Sequence, residues 1–174
     1  MIAIRPAIPA DAAEIARIHI TSWKANFESF LTDEQVKLKD LDEANQLKVW
    51  QRRLNEEEGK SRQTFIAEKD ETPVGYITGR DYDGDYDAEL HQIYVSPEAS
   101  RNGIGKKLVA RLAQALHKNG KQSMLVWVMT INPAVAFYRD ALGGKYIGER
   151  IIPDGDGILK EAAYVWTDLE ALFA

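Results

Sequence analysis

Cysteine is absent from the 174-residue chain. That excludes disulfides, thiolate metal sites and a cysteine nucleophile, and makes a cytoplasmic location the simple expectation. Nowhere do apolar residues run for the ~18 positions that a membrane helix needs. The N-terminal MIAIRPAIPADAAEI places Arg5, Asp11 and Glu14 inside what would have to be the apolar stretch of a secretory signal, so no such signal is expected. Histidine is scarce. His19, His91 and His117 have no metal-ligand spacing, and no metal is expected. Basic residues are in deficit, 22 against 27 acidic, for a net charge of -5 and a pI near 5.3. Nucleic-acid binding needs a basic face and is disfavoured; a cationic small partner is mildly favoured.

What is present is ordinary globular material. Hydrophobic residues make up 45% and charged residues 28%, which with this length predicts one domain, residues 1–174, around one core. Ile2 to Arg5 reads as a strand ending at Pro6. Asp11 reads as the N-cap of a helix over Ala12–Phe27, with Ile15, His19, Trp23 and Phe27 on one stripe. A second helical region is expected from Thr32 to Glu57, opened by a capping box at Thr32 and stopped by Gly59. Thr64–Glu68 and Val74–Thr78 form an expected hairpin across Lys69–Pro73. A strand over Glu89–Val95 follows, then a helix over Gly103–Lys118 with Ile104, Leu108, Leu112 and Leu116 four apart. Ser123–Met129 reads as a buried strand and Pro133–Ala141 as a short helix. Two strands, Tyr146–Ile152 and Leu159–Thr167, close the chain across Pro153–Gly157. The pattern predicts an α/β domain with βαβ units in its second half.

The run Glu89-Leu-His-Gln-Ile-Tyr-Val-Ser-Pro-Glu-Ala-Ser-Arg-Asn-Gly-Ile-Gly-Lys-Lys-Leu108 carries the chemistry. A strand enters a glycine-bearing loop that opens directly into an amphipathic helix. Unpaired amides and the positive dipole end at a helix start suit phosphate. Gly103 and Gly105 allow close backbone approach, while Arg101, Lys106 and Lys107 add charge. A P-loop would need glycine where Ser100 stands and a hydroxyl residue where Lys107 stands; a dinucleotide fingerprint would need glycine at Leu108. Both fail. The run Asp81, Asp83, Asp85, Asp87 fails the EF-hand pattern at Tyr86, and a solvated turn is expected there.

Ser100-Arg101-Asn102-Gly103-Ile104-Gly105 resembles the coenzyme A-binding segment of the GCN5-related N-acetyltransferase (GNAT) superfamily, (Gln/Arg)-x-x-Gly-x-(Gly/Ala), with Ser100 as its one departure. Val126–Tyr138 followed by Leu142-Gly-Gly144 is similar to that family's second block, a strand leading to Asn132 and then to Phe137-Tyr138. Ser22-Trp-Lys24 and the stretch from Gly148 to Trp166 also match, so the resemblance runs from Ile4 to Leu169. It implies a mixed, mostly antiparallel sheet with a splayed central parallel strand pair, flanked by helices. It further implies transfer of acetyl from acetyl-CoA to a primary amine, of small-molecule type, by direct attack in a ternary complex. The pantetheine arm would pair with Ile93, Tyr94 and Val95. The pyrophosphate would rest on Arg101, Asn102, Gly103, Ile104, Gly105 and Lys106, and Asn132 would touch the arm from the other strand.

Such a transfer needs the amine deprotonated, the oxyanion stabilised and the thiolate protonated. By resemblance Tyr138 is the acid, and Glu89 is the candidate base with His91 as the alternative. Strand alternation would set Glu89, His91, Ile93 and Val95 on one face. A backbone N–H near Ile93–Val95 would hold the oxyanion. Trp23, Phe27 and His19 would border the acceptor, Phe27 leaning toward plain core, and Trp50 and Trp127 would pack. A homodimer is compatible with the family, though no interface is legible. The rival reading is a non-catalytic acetyl-CoA-binding sensor, which would need the cradle but neither Tyr138 nor a base near Glu89.

Overall fold

The computed structural model describes residues 1–39, 41–56, 62–154 and 157–174. The strands are β1 (Ile2–Pro6), β2 (Arg62–Lys69), β3 (Thr72–Asp81), β4 (Ala88–Val95), β5 (Met124–Met129), β6 (Lys145–Asp154) and β7 (Gly157–Trp166). The helices are α1 (Ala12–Phe27), α2 (Asp33–Leu38), α3 (Glu43–Glu56) and α4 (Ile104–Lys118). One seven-stranded sheet runs β1-β2-β3-β4-β5-β7-β6. All of its pairs are antiparallel except β4–β5, the single parallel pair. The expected mixed sheet is therefore what the chain forms.

The region expected as one helix from Thr32 is two. Thr32 caps α2 as read: its hydroxyl accepts from the Gln35 amide at 3.1 Å while the Gln35 side chain accepts from the Thr32 amide at 3.0 Å. Lys39 then turns extended, and Asp42 starts a new helix by accepting from the Asn45 amide at 2.9 Å. A second good N-cap outcompetes continuation through the first. The expected stop at Gly59 lies outside the described residues. The β2–β3 turn is tighter than Lys69–Pro73: Asp70 and Glu71 both take positive φ, the I′ geometry that matches strand twist.

The sheet's two faces carry different cores. α4 buries Ile104, Leu108, Leu112 and Leu116 completely, together with Val109 and Ala113, against Ile77, Leu90, Met124 and Val126. Each such side chain contributes roughly 1.5–3 kcal/mol. On the other face α1 and α3 pack Ile15, Ile18, Trp50 and Leu54 against Ile66 and Tyr76. Trp50 is fully buried, as its packing role requires. Trp127 lies under the Arg150 guanidinium, 4.1 Å from its ring. Among the described residues no helix is long and apolar enough to cross a membrane.

Candidate active site

The site forms where β4 and β5 part. Their ladder holds for three pairs, Ala88–Met124, Glu89–Leu125 and Leu90–Val126, and then ends. Beyond it β4 stays with β3 through Val95–Gly75, and β5 stays with β7 through Met129–Glu161. Two strands loyal to opposite neighbours must open a V between them. A bulge marks the fork: Gln92 faces Thr78 and Leu90 faces Gly79, which leaves His91 as the extra residue.

The bulge overturns the simple alternation. Leu90, Ile93 and Val95 share the α4 face, whereas Glu89 pairs across from Arg80, and Gln92 and Tyr94 from Thr78 and Tyr76, on the other. Glu89 therefore does not share a face with Ile93 and Val95. Nor is it a solvated turn residue, being 6% exposed. Its Oε2 accepts from Arg80 Nε at 2.6 Å, and its Oε1 lies 3.8 Å from His91 Nδ1. Burial pushes the Glu89 carboxyl up, but His91 and Arg80 outweigh it and hold the group below its ordinary value.

The V opens into a cleft of about 610 Å³, within the range of ordinary ligand sites. Ile93, Tyr94 and Val95 form one wall and Asn132, Phe137 and Tyr138 the other; Arg101, Gly103, Ile104, Gly105 and Lys106 close the end. Phe27 also reaches the lining, although it is buried. Trp23 does not; it stacks behind Phe27 at 5.5 Å between ring centres. His19 is buried and bonded to the Tyr76 hydroxyl at 2.8 Å, so it belongs to the α1 core rather than the cleft wall. Asn102 turns away, its amide donating to the carbonyls of Ala99 and Ser100 at 3.2 Å. Ser100, Pro133 and Ala134 join the lining from within the two motifs, and Asn26 joins it without having been anticipated. Asn26 shows no motif, since one helix turn of an otherwise amphipathic pattern carries no label for a cleft.

The loop before α4 is built for an anion. Arg101 and Gly103 have φ of 61° and 73°. The second is the left-handed N-cap of α4, a conformation that glycine adopts without strain. Among the described residues the first amide to close a helical bond is Lys107, to the Gly103 carbonyl at 3.2 Å. Among the described residues the amides of 101–106 have no carbonyl or side-chain acceptor, and the α4 dipole adds its positive end. Gly105 matters for space rather than for φ: a Cβ there would lie 3.1 Å from the Phe137 ring, which would have to shift by a few tenths of an ångström.

Opposite this loop the chain after β5 is not the regular helix expected over Pro133–Ala141. Asn132 Oδ1 accepts from the Ala134 amide at 2.8 Å and starts a turn. Phe137–Ala141 then forms a π turn, closed by the Leu142 amide on the Phe137 carbonyl at 3.1 Å. The wider turn carries Tyr138 into the cleft wall, where it is buried. Burial raises the Tyr138 hydroxyl's pKa, with Tyr94 adding to the rise, so the group stays protonated through the neutral range and can serve as a donor. Burial also pushes Tyr94 up to about 12. The acidic turn is solvated as expected, with Asp81, Asp83, Asp85 and Asp87 all exposed. The exposed Asp87 also accepts from the amides of Gln122 and Ser123 at 2.8 and 2.9 Å. Among the described residues no cluster of His, Asp and Glu could hold a metal.

Residues 21–143 match the acetyltransferase (GNAT) family. The uncharacterized N-acetyltransferase YuaI of Bacillus subtilis (strain 168) is 32% identical, with 99% of this chain and 96% of that protein covered. The PaiA N-acetyltransferase of Thermoplasma acidophilum, solved with coenzyme A, superposes at a TM-score of 0.71 with 20% identity over 92% of this chain and 98% of that one. YncA of Salmonella typhimurium, solved with its cofactor acetyl-CoA, gives 0.69 with 21% identity over 96% and 94%.

Proposed function

The chain belongs to the GNAT acetyltransferase family and is an acetyl-CoA-dependent N-acetyltransferase, and from that premise we propose that the V-shaped cleft takes the donor and that a small primary amine is the acceptor. The carrying observation is the run of six successive amides, 101–106, that have no acceptor among the described residues, at the closed end of a cleft whose wall holds Tyr138. Those amides would hold the pyrophosphate, with Arg101 and Lys106 neutralising its charge. The strand edge of Ile93, Tyr94 and Val95, unclaimed by β5, would pair with the amide-bearing arm of the donor, and a backbone N–H there would steady the oxyanion.

Direct attack within a ternary complex is the economical route. No cysteine exists to carry an acyl group. Of the nearby serines, Ser22 and Ser100 turn their hydroxyls to the carbonyls of Val95 at 3.2 Å and Pro97 at 2.8 Å, and Ser96 is buried. Tyr138 would protonate the departing sulfur, and the Glu89–His91 corner would take the proton of the amine. The net charge of -5 and the exposed Asp83 and Asp85 favour a cationic acceptor. In this reading residues 1–174 work as one catalytic domain in the cytoplasm. Tyr138 in the wall favours an enzyme over a sensor, which would have no use for a buried proton donor.

Calorimetric titration with acetyl-CoA, with NAD and ATP as controls, tests the reading. Selective binding of acetyl-CoA, followed by thiol release with a panel of primary amines, is the expected result. Equal binding of all three, or none, would overturn it.

A further inference from the structure

The sheet face opposite α4 carries an ordered row across three strands. Arg62 of β2 pairs across from Arg80 of β3, and Arg80 from Glu89 of β4. The next row on that face is Thr64, Thr78 and Gln92, with the two threonine hydroxyls bonded at 3.1 Å. His91 is the bulge residue, so it falls between the rows and directly after Leu90, the last β4 residue paired to β5. It therefore sits at the fork of the V, its side chain 23% exposed, while the Glu89 side chain behind it is 7% exposed.

We propose that His91 is the group that takes the amine's proton, and that Arg80 and Glu89 are positioning residues that aim its ring. This rests on the acetyl-transfer reading of the cleft. Glu89 is badly placed to be the base itself. One of its oxygens is held by Arg80 at 2.6 Å, the other faces His91, and the group is buried. A carboxylate so satisfied has little affinity for a proton on an ammonium whose pKa is near 10. His91 has the converse setting. Burial lowers its pKa, Arg80 and Arg62 lower it further, and Glu89 alone pulls it up; the net effect keeps the ring neutral. Glu89 lies nearest Nδ1, which favours the proton there and leaves Nε2 with a lone pair to accept one. The 3.8 Å separation is too long for a hydrogen bond and sets an approach that closes once the ring is charged.

The proton balance is complete. Nε2 takes one proton from the ammonium, and the freed nitrogen lone pair forms the N–C bond to the thioester carbon. As the C–S bond breaks, Tyr138 gives its hydroxyl proton to sulfur. The second N–H proton leaving the product nitrogen is returned through solvent to Tyr138, and His91 releases its own proton to solvent.

Ring NMR of the full-length, nitrogen-labelled protein tests the arrangement without an acceptor, and the chain has only three histidines to resolve, with His91→Gln assigning one. In the wild type His91 should carry its proton on Nδ1 and titrate below the ordinary imidazole value. Arg80→Met removes a neighbouring cation and should raise its midpoint. Glu89→Gln removes the anion that stabilises the charged ring and should lower the midpoint while shifting the tautomer toward Nε2. A general scaffold effect would not give opposite signs. Midpoints that stay put or move together, or an Nε2–H tautomer in the wild type, would overturn the proposal. With propylamine as acceptor, His91→Gln should slow turnover by ~100-fold or more with acetyl-CoA affinity kept. Glu89→Gln should cost less than His91→Gln; a larger loss would make Glu89 the base. Failure of the wild type to bind acetyl-CoA would instead sink the reading of the cleft, which is a separate outcome.

Discussion

The two ends of the β4–β5 pair obey opposite rules. At the N-terminal end the strands are sealed together: three ladder pairs join them, the Asp87 carboxylate gathers the amides of Gln122 and Ser123, and Lys121 reaches Asp81 at 3.0 Å. At the C-terminal end the strands are tied to their outer neighbours instead. The Ser96 amide bonds the Val74 carbonyl at 2.8 Å, Ser22 takes the Val95 carbonyl, and the Thr130 amide goes to Lys160 at 2.9 Å. The V is therefore built and not merely loose. A parallel pair opens where its two strands find better partners on their outer sides, and the bulge at His91 is the switch between regimes.

Gly105→Val should strike the open end hardest. The added branches would meet Phe137, and acetyl-CoA affinity should fall by ~100-fold or more with the far-ultraviolet circular dichroism unchanged; retained affinity in calorimetry would show that the cradle lies elsewhere. Tyr138→Phe should lower kcat by roughly 10–100-fold in thiol-release assays with little change in donor affinity, since it removes only the proton. An unchanged kcat would remove Tyr138 from the chemistry.

Asp87→Asn tests the closed end and should act on stability instead, costing about 1 kcal/mol in denaturant unfolding while donor affinity holds. The three bonds from Gln122 and Ser123 hold this carboxyl below its ordinary value. The wild-type advantage should therefore be full above about pH 4 and vanish as pH falls through the lowered folded-state pKa. A difference that persists in acid would mean that charge is not what holds the clamp. Ser22→Ala is the mildest change. It frees the Val95 carbonyl, and acetyl-CoA affinity should shift by about 2–3-fold in calorimetry.

Much of this was legible in the sequence because it depends on local pattern. The four-residue spacing from Ile104 to Leu116 predicts both α4 and its buried face, and the glycines before it predict an anion cradle. The capping box at Thr32 closes as spacing suggests. What escaped depends on partners far along the chain. The alternation of Glu89, His91, Ile93 and Val95 assumes a regular strand, and the bulge that breaks it is fixed by how β4 meets β3. Arg80 carries no motif; it gains meaning only by standing across from Glu89. The π turn at Tyr138 likewise follows from Gly144, whose amide reaches back to the Tyr138 carbonyl at 2.9 Å, and from Trp166, which holds the Leu142 carbonyl at 2.7 Å. His19 and Trp23 are buried, and aromatic spacing on α1 marks core as readily as a pocket.

The most direct test of the two-ended V is amide hydrogen exchange with and without saturating acetyl-CoA. Protection should rise at residues 93–95 and 101–106, while 86–90 and 122–126, already sealed, stay unchanged. Protection confined to the sealed end, or appearing at neither, would contradict the account.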